Sequence, residues 1–342
     1  MDAKAGRIFL AHVSGEGKRK FAHDSGEGCA FDAFMMMLSF VRRAFRFLLV
    51  ALVGALLASL SVGYAAVNAG AWTPVYQGVE VGHGEADATE PRLQKVFAVR
   101  VDLQAPGIEL FSTPDNGDAP KQTTSETTGE FLAHYHLQVA INANFYAPCC
   151  APGDKDLVGL AVSRGVVVSP PVGKGTGSVA LVVTRDNHAA ITRMDAGFST
   201  KNIWTAVAGS EIVLEHGEVP ALAGSEFNKA AHPRTAVGLS QDGRYLILMV
   251  IDGRQPGYSM GATTAEVAAW LRRFGATDGL NLDGGGSTTL VRAEGDKPLV
   301  LNQPSGVALG SSDNAGKSGA ERQQRSNGNN FGVFARPLTA AK

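Results

Sequence analysis

The chain has 342 residues, 44% of them hydrophobic, which is enough to bury a sizeable core and is not the composition of a disordered protein. Its 31 Lys and Arg against 32 Asp and Glu give a formal net charge of -1, so it lacks the basic excess that nucleic-acid binding needs, and no nucleic-acid partner is expected. Forty-one glycines fit a loop-built site better than a helical bundle.

In chain order, residues 1–34 form a polar, Gly-rich stretch that is out of place before a targeting signal. Met35-Met36-Met37 sits where a start codon is expected, so residues 1–34 are read as a non-native or disordered extension. Residues 35–69 read as a signal peptide: Arg42, Arg43 and Arg46 precede the apolar run Phe47 to Leu60, and Ala65, Ala66 and Ala69 follow. The alternative is an uncleaved anchor, although the run is shorter than the roughly 20 residues that span a bilayer comfortably. Either reading exports the protein to the periplasm or the medium, with membrane contact only through this segment. Residues 70–94 are a linker or first strand. From about Val75 to Val333 no long charge run, Pro-rich linker or repeat breaks the chain, so one domain is expected, with bounds 95–336.

Short apolar runs with Gly or Asp flanks predict strands at Val96–Leu103, Leu137–Asn142, Val179–Thr184, Ala206–Leu214, Thr235–Leu239, Tyr245–Ile251, Gly279–Leu282 and Phe331–Phe334. A helix is expected from about Ser125 to His134. A second is better marked: Thr263 and Glu266 have capping-box spacing, Val267, Trp270, Leu271 and Phe274 make an apolar face, and Gly275 stops it. Cys149 and Cys150 leave three possibilities open, a vicinal disulfide, intermolecular pairing or two thiols. The His residues lack zinc-ligand spacing.

Gln241-Asp242-Gly243-Arg244 turns a hairpin between two apolar strands. Its second strand, the capped helix and the strand Gly279–Leu282 then have the size of a βαβ unit. If the two strands are parallel, Asp252 and Asp283 leave the sheet at one edge, where open sheets place their ligands.

The segment Asp283-Gly284-Gly285-Gly286-Ser287-Thr288-Thr289 joins a carboxylate, three glycines and three hydroxyls. Its N–H groups can form an anion nest; the bland reading is a flexible turn. It has neither dinucleotide-fingerprint nor P-loop spacing. Asp252-Gly253-Arg254 places an acid and a guanidinium at a strand end, a surface ion pair by itself but suited to a phosphate or carboxylate in company. His232-Pro233-Arg234-Thr235 adds an imidazole and a second Arg, and Asn142, Asn144 and Asn281 offer amides at strand ends. Phe145 and Tyr146 pack on a sugar face or close the core. Two carboxylates with two guanidiniums suit a sugar bearing an anionic substituent.

These pieces, Ile141-Asn142-Ala143-Asn144-Phe145-Tyr146, Gly209-Ser210, His232 to Gly238, Val250 to Arg254 and Leu280 to Thr289, stand in an order that resembles the phosphodiester glycosidase family across about 95–335. Many bacterial proteins of that family are linked with exopolysaccharide biosynthesis. The resemblance implies an α+β domain with a mixed, curled sheet and few helices. It also implies hydrolysis of a glycosyl-1-phosphodiester, releasing a sugar such as N-acetylglucosamine.

The same resemblance implies a site lined by Asn142, Asn144, Arg234, Asp252, Arg254, Asp283 and the loop Gly284, Gly285, Gly286, Ser287. Asp283 is then the acid or base at the anomeric centre, Asp252 its partner or the orienter of an Arg, and Arg234 with Arg254 the phosphate clamp. Two departures are visible. Ala143 stands where the family commonly has Gly, and Ala147 to Pro152 is inserted beside the aromatic. The family's C-terminal Arg falls in a crowded segment with Arg322, Arg325, Asn327, Asn329 and Asn330, and Arg325 is the one favoured. No cofactor is fixed by the sequence and metal dependence stays open, since carboxylates beside asparagines also suit calcium or magnesium. The competing reading is a catalytically silent glycan-binding scaffold whose partner is the same anionic glycan.

Overall fold

The computed structural model describes residues 68–87, 92–195, 197–221, 226–305 and 324–338. The expected extension, the signal segment up to residue 67, Cys29 and Arg322 lie outside the described residues. Among the described residues no helix is long and apolar enough to cross a membrane.

The fold is α+β and rich in strand. An eight-stranded sheet carries, in spatial order, Val79–Ala86, Gln94–Asp102, Tyr245–Ile251, Arg234–Leu239, Asp278–Asn281 and Glu211–Leu214, with two short N-terminal strands on Val79–Ala86. A five-stranded sheet carries Lys297–Val300, Leu290–Glu294, Val139–Asn142, Asn330–Phe334 and Glu109–Ser112. A second five-stranded sheet holds Val166–Ser169, Ala161–Ser163, Thr205–Gly209, Val179–Val183 and Ala189–Arg193. Val101, Val237, Leu248 and Leu280 of the first sheet share one core with Ile141, Leu290 and Phe331 of the second and Leu181 and Val207 of the third.

Helices cover the outer faces. α1 (Thr128–His134) starts at Thr127, whose hydroxyl caps Glu130 while the Glu130 carboxylate returns to the Thr127 N–H. Phe131 and Leu132 then pack on Phe111, Ala140 and Val291. α2 is the short turn Glu226–Lys229. α3 (Thr264–Arg273) has the expected Thr263–Glu266 capping box, and the chain turns out at Gly275 with φ +96°. Val267, Trp270 and Leu271 of α3 press on Ala98, Ala236, Ile247 and Met249. Fully burying each of those large side chains contributes roughly 1.5–3 kcal/mol.

The strand expectations hold to within a residue or two, with one correction. The run Ala206–Leu214 is two strands, Thr205–Gly209 in the third sheet and Glu211–Leu214 in the first. Gly209 lies so close to the backbone of Asn281 that a Cβ would collide with its carbonyl, and the chain changes sheets there. The strands 245–251 and 278–281 do run parallel, but not as neighbours. Arg234–Leu239 lies between them and pairs antiparallel with both.

Candidate active site

Ile251 is paired with Arg234 and Asn281 with Ala236, so the strands 245–251 and 278–281 end beside the start of 234–239 at one sheet edge. The segment 283–289 then leaves the large sheet and enters the second sheet at Leu290. The site forms where the chain passes between the two.

Each loop glycine answers a different requirement. A Cβ on Gly284 would meet the Pro233 carbonyl at 2.6 Å, Gly285 has φ +63°, and a Cβ on Gly286 would enter the Arg325 guanidinium. The result is a 3-10 turn at Gly285–Ser287. The open anion nest expected from this loop is not what forms, because its N–H groups are mostly spent inside the protein. Gly285 donates to Pro233 O (2.9 Å), Ser287 to Gly284 O (3.3 Å), Thr288 to Gly285 O (3.2 Å) and Thr289 to Asn142 Oδ1 (3.1 Å). The Gly284 N–H serves the Asp283 carboxylate.

Asp283 is partly buried, and loss of water around its carboxyl raises the pKa to about 6. The Ser287 hydroxyl, the charge of Arg325 and the Gly284 N–H pull in the opposite direction without offsetting the desolvation. Arg325 Nη1 is 3.5 Å from Ser287 Oγ and 3.9 Å from Cys149 Sγ. Cys149 and Cys150 are joined as a vicinal disulfide on this rim. The Tyr146 hydroxyl interacts with Ser287 and Arg325 and donates to Ser326 O at 3.0 Å; burial, then the charge of Asp283, raises its pKa.

Arg254 approaches from the other side, near Gly285, with its backbone at φ +59°, a region that non-glycine residues enter at a cost of about 1 kcal/mol or more. Burial and then the charge of Arg325 lower its pKa, so the two guanidiniums lie within mutual electrostatic reach. Its Nη2 is 3.5 Å from His232 Nδ1. Arginine only donates, so Nδ1 accepts and the ring is neutral there, in keeping with a His232 pKa lowered by burial, Arg254 and Arg234.

Other expected site residues are turned into the frame. Arg234 is 1% exposed; its Nε donates to Ala262 O (2.8 Å) and Nη2 to Ala230 O (3.0 Å). Burial lowers its pKa to about 10, against the pull of Glu211. Asn142 donates to Asp283 O (2.6 Å) and accepts from Thr235 Oγ1 (2.8 Å), tying both sheets to the loop. Asn144 bonds the backbone of Val158, Leu160 and Ala208 and the side chain of Asn329. Asn281 donates to Ser210 Oγ (2.9 Å) and Leu282 O (3.0 Å).

Asp252 is 1% exposed, and its carboxylate accepts from Asn302 Nδ2 (2.8 Å), the Gln303 N–H (2.8 Å) and the Tyr258 hydroxyl (3.1 Å). Asn302 also donates to Thr288 O (3.1 Å), so Asp252 braces the Asp283 loop from behind. Tyr146, expected on a sugar face or in the core, lies instead beside Ser287 and Arg325 within reach of the Asp283 charge. Tyr258, Asn302 and Glu211 were not expected here, and nothing local in the sequence marked them. Among the described residues no group of three or more His, Cys, Asp and Glu is placed to hold a metal ion.

Three solved structures share this fold at low identity. The chain is similar to the zebrafish N-acetylglucosamine-1-phosphodiester alpha-N-acetylglucosaminidase catalytic domain auto-inhibited by its pro-peptide (19% identity, TM-score 0.56, covering 79% of this chain and 88% of that one). A Synechocystis protein matches at 17% identity and TM-score 0.53, over 80% of this chain, which spans 64% of that protein's chain. A protein of Burkholderia pseudomallei described as exported matches at 15% and 0.52, over 71% and 74%. No curated protein sequence matches significantly. The family model for phosphodiester glycosidases, however, matches residues 135–334, more than half of the chain, which therefore belongs to the phosphodiester glycosidase family.

Proposed function

We propose that this protein is an exported hydrolase that cleaves the glycosidic C–O bond of a glycosyl-1-phosphodiester in an envelope or extracellular glycan. Family membership and the fold shared with a glycosyl phosphodiester hydrolase and with an exported protein support the reading. The observation that carries it is a desolvated carboxyl, Asp283, beside the charge of Arg325, with the Arg254 guanidinium within electrostatic reach of Arg325 across the glycine loop. Two like charges held within reach of one another repel, and a bridging phosphate relieves the repulsion.

In this mechanism Arg254 and Arg325 bind the phosphodiester, and the bond between the anomeric carbon and the bridging oxygen breaks with its electron pair going to the phosphate. The two guanidiniums stabilise the charge that develops on the departing phosphomonoester, so full protonation of that oxygen is not required. Water adds to the anomeric carbon and gives its proton to Asp283, whose pKa of about 6 leaves it mostly ionised at neutral pH and still a competent base. The products are the free sugar and the acceptor carrying a phosphomonoester. Tyr146 and Ser287 orient the Asp283 carboxyl, Asp252 braces its loop, and Arg234 and Asn142 fix the sheet edge from which it projects.

The deciding experiment is product analysis by mass spectrometry on a panel of glycosyl-1-phosphodiesters in 18O-water. Label in the released sugar and none in the phosphate supports C–O cleavage. Label in the phosphate means P–O cleavage and overturns the mechanism, and saturable binding without turnover means the chain is a glycan-binding scaffold.

A further inference from the structure

At the far end of the third sheet lies a cavity of about 1050 Å³, lined by the segments 184–186 and 198–204 with Gly165 at its side. Trp204 sits in it, and its position is fixed by backbone: the Trp204 N–H donates to Val183 O and its carbonyl accepts from the Gly165 N–H, both at 2.8 Å. The Arg185 guanidinium lies 4.7 Å from the centre of the Trp204 ring. Among the described residues the indole N–H has no hydrogen-bond acceptor, and neither Arg185 nor Lys201 pairs with a carboxylate. Both cations are exposed. The one carboxylate in the lining, Asp186, is engaged within its own turn by the Thr184 hydroxyl (2.5 Å) and His188 Nδ1 (2.8 Å), so the cations set the sign of the cavity.

An aromatic ring with Arg185 over one face, a free N–H donor and two cations that pair with no carboxylate suit one ligand class, a sugar ring carrying a carboxylate or phosphate. The placement adds to the chemistry. Trp204 directly precedes the strand Thr205–Gly209, and Ser210, directly after it, accepts from the Asn281 side chain, two residues from Asp283. At about 3.4 Å per residue the cavity is roughly 20 Å along the strand from the Asp283 edge, reachable by an extended glycan and not by a short substrate.

We propose that the Trp204 cavity is an accessory subsite that binds an anionic sugar unit of an extended glycan. The link to turnover rests on the reading of the Asp283 site; binding of the glycan does not.

Affinity electrophoresis of the full chain in gels containing polygalacturonate, with dextran as the neutral control, tests it, alongside turnover of a methyl phosphodiester of N-acetylglucosamine 1-phosphate. The variants are Trp204→Ala and the surface double substitution Arg185→Gln with Lys201→Gln, the second guarding against misfolding of the first. Polygalacturonate should retard the parent protein, dextran should not, and both variants should bind about fivefold to tenfold more weakly with short-substrate turnover unchanged. Equal retardation of parent and double variant, equal retardation by dextran, or no retardation of the parent overturns the subsite. Turnover without variant-sensitive retardation removes the subsite and leaves the function proposed above. Variant-sensitive retardation without turnover does the reverse.

Discussion

Asp252 and Asp283 leave parallel strands at the same sheet edge, each followed by glycine, yet their surroundings divide the labour between them. Asp252 is sealed from solvent and takes hydrogen bonds from an amide side chain, a backbone N–H and a phenol. Asp283 keeps some exposure, takes fewer donors and has its pKa raised to about 6. A carboxylate whose lone pairs are supplied by the protein is a fixed structural acceptor, whereas one held with too few donors in a partly dry site is poised to exchange a proton. The arginines divide alike: Arg234 is buried and donates to the carbonyls of Ala230 and Ala262, while Arg254 and Arg325 flank the glycine loop.

The largest effect that would sharpen this contrast is on Asp283. Asp283→Asn should lower kcat by about 10³-fold or more on a glycosyl-1-phosphodiester, within the range for loss of a general base or a nucleophile. It should also stabilise the fold at neutral pH. Because the folded pKa of about 6 lies above the ordinary 3.8, the folded state binds the extra proton, and stability falls as pH rises between these values. Above pH 6.5 the full penalty is present, and Asn, which carries no charge, escapes about 1–2 kcal/mol of it after its own lost contacts. Thermal melts at pH 7.5 and pH 4 check this: the variant should melt higher at the first and no higher at the second. In the parent, kcat/KM should fall on acidification with a limb near pH 6.

Next in size are the guanidiniums. Arg325→Ala and Arg254→Ala should each lower kcat/KM by about 10²-fold, the usual scale for a donor to a developing oxyanion. Arg234→Ala should instead act on the fold and lower the urea midpoint, since it removes a buried cation that ties the strand 234–239 to the segments at Ala230 and Ala262. If purified, folded Arg234→Ala loses turnover as deeply as the Arg325 variant, the division between framing and flanking arginines breaks.

Gly286→Ala comes third. Its methyl would enter the space of the Arg325 guanidinium, and displacement of that group should cost about tenfold in kcat/KM with little change in melting temperature.

The capped helix α3, the strand Tyr245–Ile251 and the Asp283 loop were legible because their signals are local: a capping box, an unbroken apolar run, and glycines beside an acid. What was not legible depends on which face a strand residue takes and on what lies across from it. Arg234 and Thr235 are consecutive, but one turns under α3 toward Ala262 and the other inward to Asn142, and only the assembled sheet decides which. The insertion of Arg234–Leu239 between the two parallel strands is likewise a pairing made at a distance, as is the brace from Asp252 through Asn302 to Thr288. Ala206–Leu214 is apolar at both ends, and the change of sheet at Ser210 is imposed by the close approach of Asn281.

The smallest catalytic effect, and the sharpest probe of the comparison, belongs to Asp252→Asn. An amide keeps the shape but replaces one acceptor oxygen by a donor, which would then face the Asn302 amide, the Gln303 N–H or the Tyr258 hydroxyl. Leaving one buried donor without an acceptor costs about 1–3 kcal/mol, so the urea midpoint should fall. The Asp283 loop stays tied through Asn142 and Pro233, so turnover per folded molecule should stay within about fivefold of the parent, a loss of under roughly 1 kcal/mol in barrier. The two Asp→Asn changes thus move stability in opposite directions at pH 7.5 and differ by about two orders of magnitude in rate. Should folded Asp252→Asn prove as inert as Asp283→Asn, both carboxyls act on the reacting atoms, and the hydrogen bonds around Asp252 orient a second catalytic acid rather than a brace.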